Sequence, residues 1–207
     1  MNRYALVCLA LALPALVVHA EAVDYSIDPA HTTVGWEVRH FGSSTYSGRF
    51  DKVEGSITLD REAGSGAVSI SIATTSLVSD FPAFDAVLRG GNFLAAQAHP
   101  IATFVSRSLH LDAGQLRDLR GEFSLRGVSH PLTLQATHFS CWADDDATVA
   151  REACGGDFEA EIRRSDYGST FALPFVGDTV RLLIRVRAVR RTDAPGRPPQ
   201  AACCTAV

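Results

Sequence analysis

The chain has 207 residues with a formal net charge of −4, 46% hydrophobic and 20% charged. That length suits one domain with a sizeable core, and no inner Pro, Gly or Ser linker divides it. The mild acidity and lack of a basic face argue against nucleic acid as a partner, since phosphate binding needs clustered Lys and Arg.

The first twenty residues, MNRYALVCLALALPALVVHA, place Arg3 before an apolar run from Ala5 to Val18, with small residues at Ala20 and Ala22. This pattern predicts a cleaved secretory signal over residues 1–20. No later stretch approaches the roughly 20 apolar residues of a spanning helix, so the exported domain, 21–191, is not expected to span a membrane. Loss of Arg3 with the signal shifts the formal charge from −4 to −5.

Residues 28–42, DPAHTTVGWEVRHFG, begin the first long alternating stretch. Asp28, Pro29 and Ala30 put His31 at a corner, and period two then sets Val34, Trp36, Val38 and His40 on one face, taken as the interior. The two histidines are nine residues apart, an odd number, so on one continuous strand they face opposite ways and do not share a metal. An imidazole buried among apolar groups needs partners. A hydrogen bond to a neighbouring strand, to Asp85 or to Tyr167 is one reading of His40; a polar contact for a ligand in a greasy cavity is the other.

Further strands fit residues 47–60, Val68 to Ile72, 101–111, Leu119 to Leu125, 131–140 and 157–164. The last is the clearest: Val180, Leu182, Ile184, Val186 and Ala188 point one way, and Arg181, Arg185 and Arg187 form the solvated face. About eight strands, mostly adjacent in sequence, need a closed antiparallel sheet to hide their edges. Only DFPAFDAVLRGGNFLAAQAH, residues 80–99, breaks the pattern. Asp80 as a cap, Pro82 in the first turn and Phe81, Phe84 and Leu88 at helical spacing predict a helix, and Gly90 and Gly91 divide it from a second short one. The expected fold is mainly β, an approximately eight-stranded antiparallel barrel with a helical flap around residues 80–97 that either gates the mouth or covers an edge.

Cys141 and Cys154 flank a polar loop with twelve residues between them, and a bridge there is worth about 3 kcal/mol in the chain-entropy model. Cys203 and Cys204 fall in the Pro-rich stretch 192–207, whose composition predicts disorder. No G-x-S-x-G, H-E-x-x-H, C-x-x-C or phosphate loop is present, and His99, His110, His130 and His138 are scattered, His99 and His130 reading as loop residues and His110 and His138 as strand residues without acidic neighbours at ligand spacing. No catalytic residue, metal site or cofactor is expected. Dispersed aromatics, among them Phe41, fit either a cavity lining or a solid core.

Five ordered motifs carry a family resemblance: YSIDPAHTTVGWEVRHFG, SGRFDKVEGSITLD, DAVLRGGNFLAAQAHPIATFVSRSL, LRGEFSLRGVSHPLTL and IRRSDYGSTFALPFVGDTVRLLIRV. From Tyr25 to Val189 the chain resembles the YceI-like proteins. The resemblance implies a lipocalin-like barrel, exported to the periplasm, that holds a polyisoprenoid, an isoprenoid quinone or a precursor in an apolar tunnel. It implies no catalysis, is compatible with a homodimer, and matches His40, the segment Asp28 to His31, and the Arg126-Gly127 turn. The flap departs from the family's pattern: Phe84, Val87, Asn92 and Ala95 stand where the family often has charged or more polar residues, while Asp85 and Arg89 survive, and this thins the mouth's charge.

The expected lining is Trp36, Val38, Phe50, Phe84, Leu88, Phe93, Leu94, Phe104, Phe123 and Phe171, with His40, Asp85 and Arg89 near a head group and Tyr167 as a candidate partner of His40. Two alternatives stand beside this reading: a lipid-modifying enzyme with His40 as general base, and a filled-core interaction or stress protein.

Overall fold

The alternating stretches all become strands. In the computed structural model, which describes residues 22–79, 81–112, 115–144 and 151–192, they are β1 (Val23–Ile27), β2 (Thr33–His40), β3 (Ser44–Phe50), β4 (Val53–Asp60), β5 (Ser65–Ala73), β6 (Leu77–Ser79), β7 (Ile101–Asp112), β8 (Gln115–Leu125), β9 (Val128–Asp144), β10 (Arg151–Arg163) and β11 (Val176–Arg190). The expected signal, the tail with Cys203 and Cys204, and Asp80 lie outside the described residues.

Eight strands, β1-β4-β5-β7-β8-β9-β10-β11, form an antiparallel ring that the β1–β11 pairing closes. Beyond β1, β11 also pairs with β2, and β3 and β6 continue from there. Each of the pairs β1/β2, β3/β4 and β5/β6 is thus two halves of one bent path. The stretch 47–60 is not one strand, because Asp51 and Lys52 make a corner whose amides donate to the Ser76 carbonyl (3.2 Å) and the Ser76 hydroxyl (3.0 Å). Alternation survives on both sides of such a corner, which is why period two alone does not reveal it.

The flap is one helix, α1 (Pro82–Arg89), with Phe81 at its N-cap and no side-chain cap. A second helix is absent here: Gly90 leaves the helix in an extended conformation, and turns follow, with the Ala95 and Ala96 amides donating to the Gly90 and Arg89 carbonyls. Without a side chain, Gly90 and Gly91 gain little from helical geometry.

Two apolar clusters line the inside of the barrel. The larger runs from Val34, Trp36 and Phe50 to Phe104, Phe123, Phe158 and Leu182. The smaller, Tyr25, Ile27, Leu59, Cys154 and Ala188, closes one end. Trp36 lies so close over Gly48 that a Cβ there would come within 2.6 Å of the indole, and the Phe104 ring leaves 2.8 Å at Gly121. Only glycine fits at these positions, since the Val78 and Val105 carbonyl oxygens would lie nearer still to a Cβ. Cys141 and Cys154 are direct cross-strand partners of β9 and β10 and form the expected disulfide, its Cys154 side inside the smaller cluster.

Outside, Arg181 meets Glu159 at 2.8 Å and Glu37 at 3.5 Å, and Arg185 meets Asp157 at 3.5 Å, so the basic stripe is a solvated face paired with acids of β2 and β10. His31 does occupy a corner, its Nδ1 2.7 Å from Asp28, which also faces Arg187 at 3.2 Å. His110 has an acidic neighbour after all: Asp118, opposite it on β8, lies 2.7 Å away. Strand pairing, invisible to local spacing, brings them together. His130 likewise belongs to β9 rather than to a loop, while His99 lies between elements.

Among the described residues, three carboxyls sit below their ordinary pKa. Burial pushes Asp28 up, but hydrogen bonds from His31 and the Ala30 amide and the Arg187 charge outweigh it. Hydrogen bonding to His110 dominates at Asp118, and Ser165 and Arg163 overcome the burial of Asp178. A lowered folded-state pKa contributes stability that is complete above the unfolded value of about 3.9 and lost as pH falls through the folded value. Urea melts are therefore expected to show stability level in these groups above about pH 5 and falling below about pH 4, with a shallower fall in Asp28→Asn. Replacing both Cys141 and Cys154 by Ser is expected to cost about 3 kcal/mol in the same assay.

Candidate ligand-binding site

Period two around a closed ring turns every second side chain inward, and the inward set encloses a cavity of about 380 Å³. Trp36, Val38, His40, Phe50, Phe84, Leu88, Phe93, Leu94, Phe104, Phe123 and Phe171 all line it. The interior is a cavity and not a solid core. Leu88 and Phe84 bring α1 over one end, while Val87 and Phe171 belong to the wall yet are 51% and 52% exposed, which locates the mouth. The smaller apolar cluster with the disulfide lies at the other end.

Polar groups are few. Thr32, His40, Tyr46, Arg164 and Ser169 supply them, apart from the Trp36 indole, whose buried N–H has no partner among the described residues. His40 is half-buried at the mouth, its ring edge-on to Phe41 (4.6 Å) and Tyr46 (4.7 Å). Among the described residues its imidazole has no hydrogen bond, so neither Asp85 nor Tyr167 is its partner.

Those two and Arg89 stand away from the lining. Asp85, buried on the side of α1 that faces β6, accepts from the Ser79 amide (2.8 Å) and hydroxyl (2.6 Å). Arg89, one turn on, donates to the carbonyls of Thr75 (3.3 Å) and Leu77 (3.2 Å). The helix therefore presents Phe84 and Leu88 to the cavity and uses Asp85 and Arg89 as ties to the wall, a division that spacing by three and four residues permits. Tyr167 is 3% exposed and packs edge-on against Phe123 and His130, and burial, then the Asp166 charge, raises its pKa.

Two arginines hold the mouth's loops through main-chain carbonyls. Arg126, in the two-residue turn with Gly127 where both φ angles are positive, donates to Tyr167 (3.0 Å), Gly91 (3.0 Å), Phe93 and Gly168 (3.3 Å). Arg164, 6% exposed, donates to Gly177 (2.8 Å), Ser169 (2.8 Å) and Val176 (2.9 Å) and lies 5.9 Å from the Phe93 ring centre. Desolvation lowers its pKa, countered in part by Asp178. Sequence reasoning missed Arg164 and Tyr46 in the lining. The signal was parity: Phe158, Ile162 and Arg164 share a face, as do Tyr46 and Phe50.

The YceI-like domain profile matches residues 25–188. The chain belongs to the YceI-like family. Protein YceI of Escherichia coli O157:H7 is 32% identical over 175 residues, 83% of this chain and 90% of that protein. The UPF0312 protein of Pseudomonas aeruginosa strain LESB58 is 31% identical with the same coverage. Among solved structures, Burkholderia cenocepacia BcnA superposes with a TM-score of 0.65 at 18% identity, over 78% of this chain and 98% of that one. A Saccharophagus degradans domain described as polyisoprenoid binding gives 0.55 at 15% identity, over 82% and 99%. These structural likenesses establish the YceI-like barrel here. Among the described residues no helix is long and apolar enough to cross a membrane.

If Asp85 and Arg89 are ties and not head-group contacts, Asp85→Ala and Arg89→Ala loosen α1. Hydrogen exchange of residues 82–89 is expected to speed up by about tenfold or more, as loss of a buried hydrogen-bond partner costs about 1–3 kcal/mol, while the ring strands keep their protection.

Proposed function

We propose that the protein is a periplasmic carrier that holds a long-chain amphiphile, a polyisoprenoid, an isoprenoid quinone or a precursor, for transport, storage or a stress response. The observation that supports it most is the apolar cavity, closed at one end and open beside α1. Burial of a chain there contributes about 0.8 kcal/mol per methylene, so affinity needs no charged contact. Membership of the YceI-like family and the polyisoprenoid-binding description of the Saccharophagus degradans domain agree with this reading.

The lining also suggests the head group. Arg164 already serves three carbonyls, and the polar groups of Thr32, His40, Tyr46 and Ser169 are neutral or weakly basic. An uncharged head with hydrogen-bonding oxygens, such as a quinone ring or an alcohol, suits His40 and Tyr46 at the mouth better than a pyrophosphate does. The chain of the amphiphile then lies among Trp36, Phe104, Phe123 and Leu182.

Organic extraction of protein purified from its native periplasm, followed by mass spectrometry, is expected to release an amphiphile in near-stoichiometric amount. Absence of one, together with no rise in melting temperature on adding isoprenoids, overturns the carrier reading. Val38→Trp, which fills the outer part of the cavity, is expected to abolish retention of a polyprenol without lowering the melting temperature. His40→Ala is expected to weaken it by a smaller factor, about three- to tenfold, as one hydrogen bond contributes about 0.5–1.5 kcal/mol.

A further inference from the structure

Three segments frame the cavity's mouth: residues 40–46, HFGSSTY, across the β2–β3 turn; residues 81–89, FPAFDAVLR, the N-cap and whole of α1; and residues 170–176, TFALPFV, leading into β11. Each contributes side chains to the cavity wall, among them His40 and Tyr46, Phe84 and Val87, and Phe171 and Val176. Together they contain two charged residues, Asp85 and Arg89; Asp85 is buried and bonded to Ser79, and Arg89 donates to the Thr75 and Leu77 carbonyls. In a chain that is 20% charged, the charged side chains in these segments are both tied to the wall, and the guanidiniums that border them are engaged as well, Arg39 with the Thr45 hydroxyl and Arg126 with loop carbonyls.

What the collar around the opening presents instead is apolar. Phe41, Phe81, Val87, Phe171 and Phe175 are 64%, 60%, 51%, 52% and 59% exposed. Phe41 and Phe175 lie 5.5 Å apart, and the Phe41 amide donates to the Phe175 carbonyl at 2.6 Å, so two of the segments are fastened edge to edge. Val87 and Phe171 belong both to this outer surface and to the cavity wall, which makes the apolar surface continuous from the outside into the barrel. Isolated exposed apolar residues are ordinary; a concentration of large ones around an opening marks an interaction surface.

We propose that this collar is a membrane-docking surface, which seats the mouth of the barrel in the interfacial layer of a lipid bilayer. Two observations favour a bilayer over a protein partner. The charges in and beside the collar are engaged with its own backbone and hydroxyls, which leaves little to fix register and exclude wrong partners as at protein interfaces, and a fluid surface needs none. Its apolar surface also runs without a break into the cavity, so a docked collar gives an acyl or prenyl chain a water-free path from bilayer to barrel. The purpose of docking rests on the carrier reading; the docking itself rests on the collar.

Flotation of the purified protein with neutral phosphatidylcholine vesicles tests it. The protein is expected to float with the vesicles to the same extent at about 0.1 M and about 1 M salt, because the contact is apolar and not ionic. Phe41→Asn combined with Phe175→Ser is expected to lower the vesicle-bound fraction at least about tenfold, since two aromatic contacts are lost. Neither residue lines the cavity, and Asn tolerates the positive φ of Phe41 (51°). Melting temperature and retention of a polyprenol delivered from ethanol without vesicles are expected to be unchanged in that variant.

A protein that stays in the aqueous fraction, one that binds only anionic vesicles and is released by salt, or a double variant that floats like the wild type overturns the proposal. So does sedimentation showing that the collar joins two copies, with a wild-type dimer that does not float and a monomeric variant. Flotation without polyprenol retention keeps docking and removes the carrier reading. Retention without flotation does the reverse.

Discussion

An antiparallel ring has no free edge, and every second side chain on it points at the same interior. That constraint decides most of what this barrel is. Inward positions must be apolar or carry their own hydrogen-bond partners, and outward ones must suit water, so Val180, Leu182, Ile184 and Val186 face the cavity while Arg181 and Arg185 meet acids outside. Where rings as large as Trp36 and Phe104 point inward, the facing strand has to withdraw its side chain altogether, and Gly48 and Gly121 stand there.

The mouth obeys a different rule. Its loops cannot satisfy their carbonyls on neighbouring strands, so Arg126 and Arg164 do so with side-chain donors. A buried guanidinium without a carboxylate at ion-pair distance is costly unless several acceptors converge on it, and here main-chain oxygens from two segments do. The flap is fastened more lightly, by Asp85 to Ser79 and by Arg89 to two carbonyls. Ring and flap are thus held by bonds of different number and kind, and the cavity lies between them.

Alternation made the ring legible before any coordinates. Val34 to His40, Leu119 to Leu125 and Val180 to Ala188 occupy the faces that period two assigns, and the lining set from Trp36 to Phe171 follows from it. The same rule extended one step would have placed Arg164 and Tyr46. What periodicity does not carry is anything set by pairing across the sheet. The corner at Asp51 and Lys52, the three-residue β6 and the His110 to Asp118 contact all depend on which strand lies opposite. Asp85 and Arg89 illustrate a subtler limit: charge near an apolar helix face suggests a head-group contact, whereas the helix turns that charge toward carbonyls and hydroxyls of its own wall.

The pairing of β1 with β11 joins Tyr25 to Arg190, almost the full length of the described chain. Neighbouring strands such as β7 to β8 and β9 to β10 are joined by short connections and can form early, but the seam cannot. Until β11 is available, β1, β2 and β10 each have one open edge. Such long-range closure slows folding, and the exposed edges are a template for association with other chains in the meantime. The barrel's last-made strand is therefore its kinetic bottleneck, and truncation within Val176–Arg190 leaves a sheet prone to aggregation in place of a smaller barrel.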